Sequence, residues 1–241
     1  MLIKTRGIVF RTVKYGETSV ITDIYTEERG LQSYILHGVR TKKPKFHSGL
    51  LQPMSLLELV VYAREGKELQ HVKELKSAYP FCSIPFTLLK GAVGSFILEL
   101  SQKSVKESES SPELFRFLFD TFVFLDQTNQ PVVNTHLIFM VKLAAFLGIM
   151  PQAEMQPPDL CFDIRSGVFT TKMQVHQYYM DKRESEILLQ LLQAPFHESH
   201  LIRLTTEERR KFLHDMVKFY AFHVPDFKEL QSFSILQTVL S

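Results

Sequence analysis

Thr18-Ser19-Val20-Ile21-Thr22-Asp23-Ile24-Tyr25-Thr26, then Glu27-Glu28-Arg29-Gly30, then Leu31-Gln32-Ser33-Tyr34-Ile35-Leu36-His37-Gly38-Val39, is a strand, a turn and a strand. Val20, Thr22 and Ile24 point one way, and Ile21, Asp23 and Tyr25 the other, which is the period of a pleated strand. Gly30 closes the turn and is free to take a positive φ. Upstream, residues 4–15 are rich in β-branched side chains and end in the turn signal Tyr15-Gly16-Glu17. Downstream, residues 53–62 are nearly continuous in apolar side chains. Arg64-Glu65-Gly66-Lys67 then turns the chain into a fifth strand at 69–75. Five short strands within the first 75 residues, with no helical period among them, predict a small closed or partly open barrel.

The pattern then changes. From 86 to 101, Leu89, Ala92, Val93, Phe96, Ile97 and Leu100 recur at helical spacing. The polar run 105–111 reads as a loop. Ser111-Pro112-Glu113 then starts a helix through Phe115, Leu118, Phe119, Phe122 and Leu125, with Ser111 as N-cap. Another runs from about Pro131 to Leu147 and stops at Gly148. Residues 148–176 hold Pro151, Pro157, Pro158 and Gly167, and are expected to form an irregular insert with a hairpin about Arg165-Ser166-Gly167. Helices resume at 182–193, 205–223 and 227–240, the second opened by the capping box Thr205-Thr206-Glu207-Glu208. The expected class is α+β: a five-stranded barrel over 1–79, then a mostly α-helical domain over 80–241 with an irregular insert at about 149–176.

Charge is distributed unevenly. The chain of 241 residues has a net charge of +2, but residues 1–76 carry +5 and residues 77–241 carry −3. Such asymmetry suggests that the first segment meets an anion. Arg40, Lys42, Lys43 and Lys45 lie within six positions, in a region without Asp or Glu between Glu28 and Glu58. They fall on the loop after the third strand. Closely spaced cations on a loop suit a phosphate backbone, and they equally suit a solvated turn.

Other chemistries find little footing. Two cysteines, Cys82 and Cys161, are too few for a disulfide framework and fit a reducing compartment. Met1-Leu2-Ile3-Lys4-Thr5-Arg6 reads as a strand, not as a signal peptide. No apolar run approaches the ~20 residues that a membrane helix needs, so a cytoplasmic protein without a membrane partner is expected. His197-Glu198-Ser199-His200 has its histidines three apart, not four as in the zinc-protease signature, and follows Pro195; a loop is expected there. There is no glycine-rich phosphate loop and no G-x-S-x-G elbow, so no catalytic residue and no cofactor is assigned. Tyr15, Tyr25, Tyr34 and Phe46 are the aromatics placed to stack on bases, although Tyr25 and Tyr34 also suit the barrel wall.

Taken in order, Gly7-Ile8-Val9-Phe10, Tyr15-Gly16-Glu17-Thr18-Ser19, Tyr25-Thr26-Glu27-Glu28-Arg29-Gly30, His37-Gly38-Val39-Arg40 and Leu51-Gln52-Pro53-Met54 resemble the N-terminal domain of the RecO family of bacterial DNA repair proteins. Tyr220-Ala221-Phe222-His223-Val224 and Leu230-Gln231-Ser232 resemble the family's last two helices. His37 stands where that family usually has Lys. The resemblance implies an N-terminal OB-fold, a helical domain, and a recombination mediator in DNA repair. Such a mediator binds single- and double-stranded DNA, anneals strands and helps load RecA onto DNA coated by the single-stranded DNA-binding protein. The implied partners are a RecR-like protein, that binding protein's acidic tail and, indirectly, RecA. Many members of the family hold a four-cysteine zinc site in the insert. This chain has only Cys161 there, so no metal is expected.

On the barrel, Lys4, Arg6, Arg11, Arg40, Lys42, Lys43 and Lys45 would contact phosphates, with Tyr25, Tyr34 and Phe46 as candidates for stacking. On the helices, Lys142 and the group Arg209, Arg210 and Lys211 are the candidates for the acidic tail. The alternative is a protein–protein adaptor whose barrel is structural and does not contact DNA.

Overall fold

The computed structural model describes residues 1–63, 66–106, 109–152, 161–171 and 176–240. Arg64 and Glu65 of the expected turn, and Pro157 and Pro158 of the insert, lie outside the described residues. In chain order the elements are β1 (Leu2–Tyr15), β2 (Ser19–Thr26), β3 (Gly30–Leu36), β4 (Leu56–Tyr62), β5 (Leu69–Tyr79), α1 (Leu88–Ser104), α2 (Pro112–Gln127), α3 (Thr135–Phe146), β6 (Cys161–Asp163), β7 (Val168–Thr170), β8 (Tyr179–Met180), α4 (Lys182–Gln193), α5 (Thr206–His223) and α6 (Ser232–Val239). They form two compact units: Met1–Thr87 with Val105–Thr128, and Leu88–Ser104 with Asn129–Ser241. Helix α2 lies beyond the expected boundary after Tyr79 but clusters with the barrel.

In the first unit the five strands close in the order β1-β2-β3-β5-β4. All pairs are antiparallel except β3 with β5. This is the OB-fold. The inward side chains Val9, Val20, Ile24, Tyr34, Leu36, Leu57, Leu59, Val61 and Val72 make the core. At Gly7 a Cβ would meet Ile24 Cγ2 at 2.5 Å and Leu59 Cδ1 at 2.6 Å, so only glycine fits between those two side chains. The fourth strand begins at Leu56 rather than at 53. Met54 takes φ 74° and donates its N–H to Val9 O at 2.9 Å, which uses Pro53-Met54 as a turn.

The outer face of β1 and β2 is covered in turn. Tyr25 stacks on Phe10 with ring centroids 5.6 Å apart, and Phe115 of α2 lies 6.2 Å from Tyr25. Asp126, in the last turn of α2, accepts the N–H groups of Cys82, Ser83 and Ile84 at 2.7–3.1 Å and the Tyr79 hydroxyl at 3.1 Å. Burial works to raise the Asp126 pKa, but those donors outweigh it and hold the carboxyl below its ordinary value.

The second unit is built around α3, whose residues Leu137 to Val141 are all buried. Tyr220 of α5 donates to Met140 O at 2.7 Å. Helices α4 and α5 both open with complete capping boxes, Asp181 with Glu184 and Thr205 with Glu208. Helix α3 starts at Thr135 rather than near Pro131, and α6 starts at Ser232 rather than at 227. Strands β6 and β7 of the insert and β8 just after it form a three-stranded sheet in the order β7-β6-β8. Phe162 donates its N–H to Ser185 Oγ at 2.8 Å and packs 5.8 Å from Phe219. Residues 196–201 form a short 3-10 helix, not the loop expected at His197–His200, with His200 Nδ1 3.2 Å from His197 O. Among the described residues, no group of three or more His, Cys, Asp or Glu could hold a metal ion, and no helix is long and apolar enough to cross a membrane.

Candidate nucleic-acid interface

The basic loop is held from below and charged above. Val39, Phe46 and Leu51 are buried in the barrel core, while Arg40, Lys42, Lys43 and Lys45 between them are exposed. Arg40 ties the loop to the β1–β2 turn: its N–H donates to Thr18 O at 3.1 Å and its Nη1 to Gly16 O at 3.5 Å. Among the described residues, none of these four cations is in an ion pair. Lys45 Nζ sits 5.0 Å over the ring of Phe46. Phe46 is thus an anchor, not the base-stacking platform expected from the sequence.

Lys45 also lines a cleft of about 570 Å³ beside strands β4 and β5, with Lys4, Lys73, Lys76, Glu58 and Glu74. Lys76 and Lys73 are paired there with Glu58 at 2.9 Å and Glu74 at 3.5 Å, which leaves Lys4 and Lys45 as its unpaired cations among the described residues. Arg11 is exposed on β1, opposite Asp23 of β2.

Three expected contacts are structural instead. Arg6 is forked onto Glu27, Nε to Oε2 at 2.8 Å and Nη2 to Oε1 at 2.7 Å, with its guanidinium carbon 4.9 Å from the Phe119 ring centroid. That pairing raises the Arg6 pKa and lowers that of Glu27. Tyr25 and Tyr34, expected as stacking candidates, are 1% and 0% exposed. Tyr25 is covered by α2, and Tyr34 points into the barrel, where burial pushes its hydroxyl up to about 12. Neither ring has a face open to a base. Tyr15, at the end of β1, is 51% exposed.

The helical cations sort in the same way. Lys142 Nζ donates to Leu192 O at 2.8 Å, across from α3 to the end of α4, and burial lowers its pKa. Lys211 is shared between Asp181 at 2.5 Å and Glu184 at 2.9 Å, and these carboxylates raise its pKa. Arg209 donates to Leu204 O and Thr206 Oγ1 at 2.7 and 3.1 Å. Arg210 is exposed. It lines a narrow crevice with His136, Arg209, Leu213, Gln237 and Leu240. His136, at its floor, is wholly buried. Burial and the Arg209 charge bring its pKa down to about 3, so the imidazole is neutral near pH 7.

Sequence reasoning missed Lys73 and Lys76 of the cleft, and it missed His37, His71 and Tyr62, which line a second groove of about 320 Å³. Period-two alternation on β4 and β5 could have marked Tyr62, His71, Lys73 and Lys76 as outward-facing, and His37 follows directly on β3. Their proximity to the basic loop depends on the β3–β5 pairing.

The barrel, its loop and the helical unit each have counterparts among known proteins. Residues 1–81 match the family described as "Recombination protein O N terminal", and residues 85–231 match "Recombination protein O C terminal". The chain is 34% identical over 238 residues to the DNA repair protein RecO of Bacteroides fragilis, covering 98% of each. It is 31% identical over 241 residues to that of Phocaeicola vulgatus, covering 100% of each, and 31% identical to that of Christiangramia forsetii, covering 99% of each. With both family domains matched in order across an OB barrel and the helices that follow it, this chain belongs to the RecO family of DNA repair proteins.

Proposed function

We propose that the barrel binds single- and double-stranded DNA through Lys4, Arg11, Arg40, Lys42, Lys43 and Lys45, and that the chain acts as a non-enzymatic recombination mediator. It anneals complementary strands and helps load RecA onto DNA coated by the single-stranded DNA-binding protein. The observation that supports this is the unpaired charge of the loop. Arg6, Lys76 and Lys211 are each neutralised by a carboxylate, whereas Arg40, Lys42, Lys43 and Lys45 are in no ion pair among the described residues. Such cations release counterions on meeting a phosphate without first breaking a pair. Phosphate contacts carry no base sequence, which suits a mediator that must accept any strand. The names of its relatives, all DNA repair proteins, agree with that role.

The partners in this reading are a RecR-like protein, RecA indirectly, and the acidic, apolar-ended tail of the single-stranded DNA-binding protein. Arg210, exposed beside the narrow crevice over His136, suits the tail's carboxylates. The test is a titration of a labelled single strand at two salt concentrations, with the wild type and with Arg40, Lys42, Lys43 and Lys45 replaced by Ala. The log–log salt slope should fall by roughly 0.7 for each lost phosphate contact. A wild-type protein that fails to bind at low salt would sink the reading and leave an adaptor with a structural barrel. An unchanged slope in the quadruple variant would move the phosphate site elsewhere.

A further inference from the structure

Helix α2 covers the outer face of β1 and β2, but the outer face of β3, β5 and β4 carries the second groove. Its construction follows from register. Ile35 and His37 share one face of β3 and its extension, two residues apart. Ile35 pairs with His71 across the parallel β3–β5 contact, and His71 pairs with Tyr62 across β5–β4. The row Ile35, His71, Tyr62 therefore crosses three strands, and His37 lies one step along it. The rings of His37 and His71 stand 5.9 Å apart. Lys45 and Phe46 of the basic loop also line the groove. Ser19 Oγ on β2 lies 3.0 Å from His37 Nδ1 and fixes that ring. Tyr62 is 40% exposed.

We propose that this groove is a nucleotide slot for single-stranded DNA: His37, His71 and Lys45 hold one phosphate, and the Tyr62 ring carries the neighbouring base. The slot rests on the reading of the barrel as a DNA-binding domain. Its volume of about 320 Å³ is at the small end of the range for ligand pockets. Among the described residues, the Ser19 hydroxyl from β2 and the His71 ring from β5 approach His37, Tyr62 from β4 and Lys45 from the loop line the groove with it, and none of the lining residues is a carboxylate. Among the described residues that line the groove, none offers the two imidazoles and Lys45 an anion in place of a phosphate. Imidazole is the side chain suited to change charge between pH 5 and 8. Lys45 also lines the neighbouring 570 Å³ cleft, so one strand can pass from the slot to Lys4.

Anisotropy of a labelled oligothymidylate, measured at constant ionic strength at about pH 6 and pH 8, tests the slot. The wild type should bind about five- to tenfold more tightly at the lower pH, with a salt slope steeper by about 0.7. The His37→Gln/His71→Gln variant should lose that difference, and His37→Lys should bind at the higher pH about as well as the wild type does at the lower. Both substitutions lie on the outer face, and an unchanged melting curve will confirm that the barrel is intact. Wild-type and double-variant proteins with the same pH response would overturn the slot and leave the basic loop standing. A wild type that binds at neither pH would overturn the DNA reading as well.

Discussion

Arg6 of β1 and Glu27 of the β2–β3 turn are joined by a two-pronged ion pair, with N–O distances of 2.8 and 2.7 Å, beneath the aromatic rings of α2. The pair consumes the charge of the most N-terminal arginine and makes it a fastener. Arg6→Ala should lower unfolding free energy by about 1–2 kcal/mol, the sum of a partly screened pair and a cation–π contact. The salt slope of DNA binding should stay at the wild-type value. A reduced slope with unchanged stability would return Arg6 to the phosphate contacts.

Asp126→Ala should destabilise more. It orphans three converging N–H donors and the Tyr79 hydroxyl around a carboxylate that is itself 4% exposed, although Cys82 beside it is exposed. A loss of about 3–4 kcal/mol is expected in urea unfolding. A loss under 1 kcal/mol would mean that water replaces the carboxylate.

Acid should weaken the helical unit through His136. Its folded pKa of about 3 lies below the unfolded value of 6.5, so the unfolded chain binds the extra proton between those limits. Stability is then lost as pH falls from 6.5 towards 3, by at most about 1.4 kcal/mol per pH unit. Glu99 acts with the same sign at lower pH. Burial works to raise its pKa, but Lys103, the Ser232 hydroxyl and the N–H groups of Ser232 and Gln231 hold it at about 2, so its contribution is lost as pH falls from 4.5 towards 2. Melting temperatures of His136→Leu should fall less steeply between pH 6 and 4.5 than those of the wild type. Parallel curves would reject His136 as the cause.

Arg210→Glu and Lys142→Glu should part company. Arg210→Glu is expected to weaken binding of the acidic tail peptide from roughly micromolar affinity, about −8 kcal/mol. Lys142→Glu removes the tie to Leu192 O and puts a carboxylate beside the end of α4, so it should cost stability first. Calorimetry of both variants with the peptide decides the matter. A Lys142→Glu protein that melts normally but no longer binds would reverse the assignment.

Metal should be dispensable. The described part of the insert is fastened by Ser185, by Asp163 with the N–H groups of Arg165 and Ser166, and by Phe162 against Phe219. Purified protein should carry no stoichiometric zinc, and a chelator should leave its melting temperature where it was. One tightly held zinc per chain would redirect attention to the histidines.

Local signals carried most of the fold. The alternation at Val20 to Tyr25, the cap at Ser111 and the box at Thr205 each depend on neighbours a few residues away, and each element stands where those signals put it. Site residues were less legible because their fates are set at a distance. Tyr25 is closed off by Phe115, Arg6 is claimed by Glu27, and Lys142 is held by a carbonyl 50 residues further on. His37 and His71 meet only because β3 pairs with β5, which no pattern within either strand announces. The loop cations were legible because their exposure needs no partner.

Helix α2 completes the barrel unit, yet the chain reaches it only after making α1 for the other unit. On the ribosome the fifth strand is finished at Tyr79, and 48 more residues, 80–127, must be added before α2 is whole. At about 5–20 residues per second that is an interval of roughly 2–10 s, in which Phe10 and Tyr25 are exposed on a finished barrel without their cover. The nascent chain has a defined window in which chaperones would find it sticky, and the window closes when Asp126 arrives to clasp residues 82–84.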